Sequence, residues 1–346
     1  MRLRVGSVLI GLSLGIVAAA SVASATTPNP SPTSKSAVAV ADPSGRVLSR
    51  IQDRRIIAPS SLAVSPKDPT IGYTMNDEGT GVLYAIQLST GKVVGTTILY
   101  GVIAKKVVGM AVSEGKLWIA DVGDLRLNRF GGMLYSLDEP GKTSSQVTPD
   151  KYQVSYGGIS KNMNALFINP KTGERFLADR NATAPGTVWK LPRPLSAVGI
   201  NRATQVADTF PLDATDASFT PNGEKVIVLT DKDLHIFNPS DWSEELVVLA
   251  NPGTIDNGRG VAPSPDSKTF YVVNEALNGV IAQFPLTKPE GGTATDPQNI
   301  IKPADPNVKV EVNPILIILV VAGIGTLLWM IMQQNRKKPQ VPRNLR

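Results

Sequence analysis

Asp121 and Asp124 stand three residues apart in ADVGDLRLNR, with Arg126, Asn128 and Arg129 directly behind them, and Asp179-Arg180 pairs acid with base again further on. Asp121, Asp124 and Asp179 together would suit a hard, oxygen-seeking cation such as Ca2+. The neighbouring arginines could instead neutralise them as ion pairs, and the chain has no D-x-[DN]-x-[DN]-G loop. The sequence therefore calls for no cofactor. Asn76-Asp77-Glu78, Asp231 and Asn274-Glu275 are further polar groups of the same kind. Each Asp or Asn among them could also simply bond the backbone of its own turn.

Nucleophilic chemistry has little to draw on. The chain has no Cys and a single His, which removes disulfides, thiolate metal sites and Cys nucleophiles, and leaves one candidate base for a Ser-His-Asp triad. No G-x-S-x-G elbow supplies a partner for it. His235 lies in LHIF, where LYAI (83–86), LYSL (134–137) and VWKL (188–191) carry an aromatic ring. A packing role is expected there. Ser89-Thr90-Gly91-Lys92 matches S-x-x-K but sits where a hairpin should turn, without its companion motifs.

These residues are spaced by a repeat. A short apolar strand ending near a proline recurs as SLAVSP, GMAVSE, ALFINP, ASFTP and VAPSP, ending at Pro66, Glu114, Pro170, Pro221 and Pro265. A polar turn follows each, then a second strand ending at Asn76, Asp121, Asp179, Asp231 or Asn274, then a third. Short strands at this spacing, with Gly/Asp/Asn turns and no amphipathic helix, describe the blades of an all-β propeller. Five units are visible, or six blades if a degenerate one lies within 114–170 or 170–221. The last unit lacks a fourth strand, which residues 46–56 (RVLSRIQDRRI) would supply, closing the ring. Second-to-third-strand loops should then gather at one rim. The long loop after Asp121 is the foremost binding candidate.

The unit SPDSKTFYVVNEALNGVIAQFPL resembles a YVTN-type propeller repeat through Tyr271, Val272, Asn274, Asn278 and Val280. GYTMNDEGTGVLYAIQLSTGKVVG is similar through Tyr73, Asn76, Leu83, Tyr84 and Gly91. LWIADVGDLRLNR resembles the WxADxGDN…R blade of exported actinobacterial propellers, with Leu125 where Asn usually follows Asp124, and Asn128 and Arg129 matching later positions. The resemblance covers about residues 46–288 and implies the fold. Some YVTN-like propellers are lactonases. Relatives often carry an acid entering the innermost strand of a blade, where this chain has Gly109 or Met110 and Asn164.

The ends read as topology signals. Residues 1–25 carry Arg2 and Arg4, an uncharged stretch and Ala23-Ser24-Ala25, the pattern of a signal peptide. Residues 26–45 read as a disordered Pro/Ser/Thr linker, 46–290 as the propeller and 291–314 as a Pro-rich stalk. Residues 315–332 are uncharged and long enough to span a bilayer, followed by a basic tail, 333–346, that places the propeller outside the cytoplasmic membrane. The net charge of +6 comes from Arg2, Arg4, Arg336, Lys337, Lys338, Arg343 and Arg346; the rest is nearly balanced. No nucleic-acid partner is expected. The sequence thus predicts an anchored propeller binding an envelope or membrane protein, a peptide or a glycan. The alternative is a lactonase- or esterase-like hydrolase using rim carboxylates and a divalent cation.

Overall fold

The computed structural model describes residues 38–181 and 183–286; residues 1–25, 291–314, 315–332 and the basic tail lie outside them. The described residues form strands, and among them no helix is long and apolar enough to cross a membrane.

Two strands, β1 (Ala39–Ser44) and β2 (Arg46–Arg50), precede the first repeat unit. Blade one follows as β3 (Ala63–Val64), β4 (Ile71–Met75), β5 (Gly79–Gln87) and β6 (Lys92–Ala104). In blade two, β7 (Val107–Ser113), β8 (Lys116–Asp121) and β9 (Gly131–Asp138) are followed by the short β10 (Ser145–Val147) and the outer strand β11 (Asp150–Ser155). β12 (Met163–Ile168), β13 (Arg175–Asp179) and β14 (Gly186–Lys190) begin blade three, which β16 (Thr204–Phe210) completes after the two-residue β15 (Asn201–Arg202). Blade four is β17 (Asp216–Phe219), β18 (Val226–Leu229), β19 (Asp233–Asn238) and β20 (Ser243–Ala250). The last unit supplies β21 (Gly258–Pro263), β22 (Thr269–Asn274) and β23 (Val280–Pro285).

β2 completes blade five, pairing antiparallel with β23 from Arg46 opposite Gln283 to Arg50 opposite Val280. Each blade is one sheet, and the first strand of every blade touches the first strand of the next, β21 meeting β3. The ring is a five-bladed β-propeller. No sixth blade exists among the described residues, and the long intervals hold β10 and β15 instead.

Every blade buries both faces of its inner strands, which is why β4, β8, β13 and β18 are buried along almost their whole length. Along β8, Leu117 and Ile119 pack toward blade one, while Trp118 and Ala120 pack toward blade three. Period-2 alternation thus feeds two cores at once. Five such cores fill the five gaps; that between blades three and four holds Phe167, Phe176, Phe210, Phe219, Phe237 and Trp242. Near the axis the inner strands are close. A Cβ on Gly109 would lie 2.3 Å from Leu166 N, and one on Gly260 2.4 Å from Leu62 N, so glycine is required at both.

Three outer edges carry an extra parallel strand: β1 on β20, β10 on β6 and β15 on β11. The linker expected through residue 45 therefore gives way at Ala39. AVAVA alternates, and Ala41 is buried in the core between blades four and five.

Candidate functional site

Second-to-third-strand loops and blade-to-blade connections share one end of the ring, the loop face. First-to-second-strand turns share the other, the turn face. Asn76 does what an Asn ending a strand does best: its Oδ1 accepts from Ile57 N (2.9 Å) and Ala58 N (3.1 Å), and its Nδ2 donates to Arg55 O (2.8 Å). It pins the chain leading into blade one. Asn274 likewise accepts from Val280 N at 2.5 Å across its own turn.

The long loop of blade two is built around its acids. Asp121 is buried and accepts from Lys105 N (3.0 Å), Lys106 N (2.8 Å) and Arg129 Nη1 (3.2 Å). Asp124, also buried, accepts from Arg129 N at 2.6 Å, while its backbone N–H donates to Asn162 Oδ1 at 3.1 Å. Arg129 further donates to the carbonyls of Gly123 (2.8 Å) and Asp121 (3.0 Å). Asp179 is buried between Thr187 N (2.5 Å) and Lys161 Nζ (2.9 Å). Arg126 and Asn128 are exposed. The carboxylates suited by type to a cation are thus filled by donors of the protein. Among the described residues no group of three His, Cys, Asp or Glu side chains could hold a metal ion.

Around the axis the loops meet in a depression of about 180 Å3. Arg180, Asp231, Arg259 and Glu275 form a chain of ion pairs across blades three to five: Arg180 Nη2 to Asp231 at 2.9 Å, Arg259 Nη1 to the other Asp231 oxygen at 2.9 Å, and Arg259 Nε to Glu275 at 2.6 Å. Opposite, Lys106 bonds Asp77, with Glu78 at 3.8 Å. Amides of Asn162 and Asn164 and the rim residue Leu125 complete the wall. The structure therefore gathers Asp77, Arg180, Asp231 and Glu275 at the axis and leaves Asn76, Asp179 and Asn274 as turn-fixing groups.

Below the depression lies an acid absent from the sequence expectation. Asp216 opens β17, the innermost strand of blade four, and is 1% exposed. Burial pushes its carboxyl well above the usual range, against hydrogen bonds from Val261 N (3.1 Å), Ser61 Oγ (2.9 Å) and Ala217 N (2.9 Å). Ser61 Oγ in turn accepts from Met110 N at 2.9 Å, so blades one, two, four and five are tied at the axis. Blade four supplies the innermost-strand acid that blades two and three lack. Lys106 and Arg259 were also missed; Lys106 immediately precedes β7 and Arg259 is the second residue of β21, so both stand at the loop-face end of an inner strand.

His235 corrects a second expectation. It does not replace the rings of its sister blades: its Nε2 lies 2.9 Å from Asp233, and its Nδ1 bonds Glu244. Burial disfavours its charge, but the bonds to Asp233 and Glu244 outweigh that and raise its pKa to about 9. At neutral pH it is an imidazolium held between two carboxylates, with no free nitrogen to act as a base.

No family model matches the chain, and no curated protein matches it. Among solved structures it is similar to a glutaminyl cyclase from Myxococcus xanthus (12% identity, TM-score 0.46, 71% of this chain and 97% of that one). It is also similar to XC5397, a gluconolactonase from Xanthomonas campestris (11%, 0.44, 72% and 97%). The β-propeller domain of Cps50 (Swd1) from Myceliophteria thermophila is a third such structure (12%, 0.40, 69% and 99%). At these identities and scores none bears on activity.

Proposed function

We propose that the chain is an exported, membrane-anchored propeller of the YVTN-like kind that binds an envelope or membrane protein through the loop face of blade two. One observation carries this reading: the apolar surface exposed at the loop face of blade two and the adjoining end of blade one. Leu125 is 83% exposed, Ile103 77%, Phe130 68% and Ile200 61%. Ile103, Phe130 and Ile200 line an open groove of about 570 Å3, and Leu125 and Leu127 stand on the same loop. Large apolar side chains grouped on a surface mark protein-binding sites.

The loop is also held in shape. Leu127 adopts a left-handed backbone (φ 51°), disfavoured for its side chain, and its N–H donates to Asp124 O at 3.0 Å. Arg129, Asp121 and Asp124 lock the loop base, so little ordering entropy is left to lose on association. The loop base and the loop surface therefore answer differently to substitution. Removing Asp121 and Asp124 would dismantle its shape, whereas its exposed apolar residues can be altered without core burial at stake.

The test is recovery of partners from crosslinked cells with the full-length chain. Wild type should retain one stoichiometric membrane or envelope protein, and the triple variant Ile103→Ser/Leu125→Ser/Phe130→Ser, with an unchanged melting curve, should lose it. Equal recovery by the triple variant overturns the reading. Turnover of a lactone or ester by the purified chain would turn it toward the hydrolase.

A further inference from the structure

The prolines that punctuate the repeat have no part in the loop face. Pro66, Pro170, Pro221 and Pro265 follow the innermost strands of four blades, and all four line a second opening of the axis, about 290 Å3, at the turn face. Met110, Ile168 and Phe219 are among its other walls. Blade two has Glu114 in place of the proline. That side chain binds Arg193 at 3.0 Å and lies 3.6 Å from Arg175, and it is not part of the wall. No charged side chain lines the opening. Along the inner strands, the buried Ser61 and Asp216 separate it from the loop-face depression.

Two hydroxyls interrupt the apolar wall. Thr220 Oγ1 is committed to Asn222 Oδ1 (2.6 Å) and Lys225 O (3.2 Å). Ser218 Oγ has only a 3.5 Å contact to Phe219 O and sits half-buried on an inner strand. A concave, apolar site with one uncommitted polar group is built for a small molecule of matching chemistry. An apolar cavity of about 150 Å3 holds a benzene, so this volume suits roughly ten to twelve heavy atoms.

We propose that the turn-face opening is a small-molecule site, separate from the partner surface of blade two. Its ligand is an uncharged, apolar molecule of about that size, carrying one hydroxyl or carbonyl group that bonds Ser218. A charged molecule of the same shape would have to shed its hydration with no counter-charge to meet it.

The probe is 2-naphthol, neutral at pH 7, titrated into the full-length chain by calorimetry, with 2-naphthalenesulfonate as its charged counterpart. Saturable 2-naphthol binding is expected, with the sulfonate weaker by about tenfold or more. Ser218→Phe fills the opening and should abolish binding, and Ser218→Ala should weaken it about fivefold. Val112→Trp fills it from another blade and serves if Ser218→Phe does not fold. The triple variant Ile103→Ser/Leu125→Ser/Phe130→Ser should bind 2-naphthol as wild type does, which separates this site from the partner surface. Absence of saturable binding to wild type overturns the proposal. So does binding that survives both filling variants.

Discussion

At the scale of single residues, the fold uses its charges as fasteners. Asp121, Asp179 and Asp231 are each taken up by donors outside their own turn, Lys105 N reaching Asp121, Lys161 reaching Asp179 and Arg259 reaching Asp231, while Asp124 is held within its loop by Arg129 N. Their type and their place at strand ends were legible in the sequence, because side chains there meet unpaired backbone. Their partners were not, because a pairing between separate strands or blades leaves no local pattern. His235 shows the same limit. Its repeat position suggested a ring packed like Tyr84, yet Glu244, nine residues on, reaches it from the next strand. His235→Phe should therefore be destabilising by about 1–3 kcal/mol, since it leaves Asp233 and Glu244 facing an apolar ring. Because the folded value of about 9 lies above the ordinary 6.5, the stabilisation is fully present below pH ~6.5 and is lost as pH rises toward 9. Melting temperatures of wild type and variant, measured from pH 6 to 10, should converge at the alkaline end. A constant difference would sink the ion-pair account.

At the scale of elements, the repeat was readable because both faces of the inner strands are buried and each blade turns on the same small set of residues. The closing strand was legible too, since RVLSR supplies what the fifth unit lacks. β1, β10 and β15 were not. They add two to six residues to an outer edge, and so short a strand, with one side unpaired, needs little apolar pattern. Deleting Arg46–Arg50 should leave β23 as an exposed edge and abolish cooperative unfolding or cause aggregation. A denaturant melt of the deletion variant that matches wild type would mean the ring is held by other contacts.

At the scale of the whole molecule, two faces have different chemistry. The loop face is polar at its axis and apolar over blade two; the turn face opens on a proline-lined, uncharged pocket. Leu286 N bonds Lys268 O, so the described chain ends at the turn face, beside a first-to-second-strand turn. On the topology proposed above, a reporter that works only outside the membrane should be active when fused after Leu286 and inactive when fused after Arg346. Activity at Arg346 would reverse the assignment of the basic tail.

The pairing of β2 with β23 also settles how the domain bears load. Any pull applied beyond Leu286 acts first on β23. With β2 in place β23 is an interior strand, bonded to β22 on one side and β2 on the other. A force along its length must shear two ladders of hydrogen bonds together, where an edge strand could be peeled away one bond at a time. The closing strand thus turns the last strand of the ring into a mechanical clamp, at the point where a tether would tug on it.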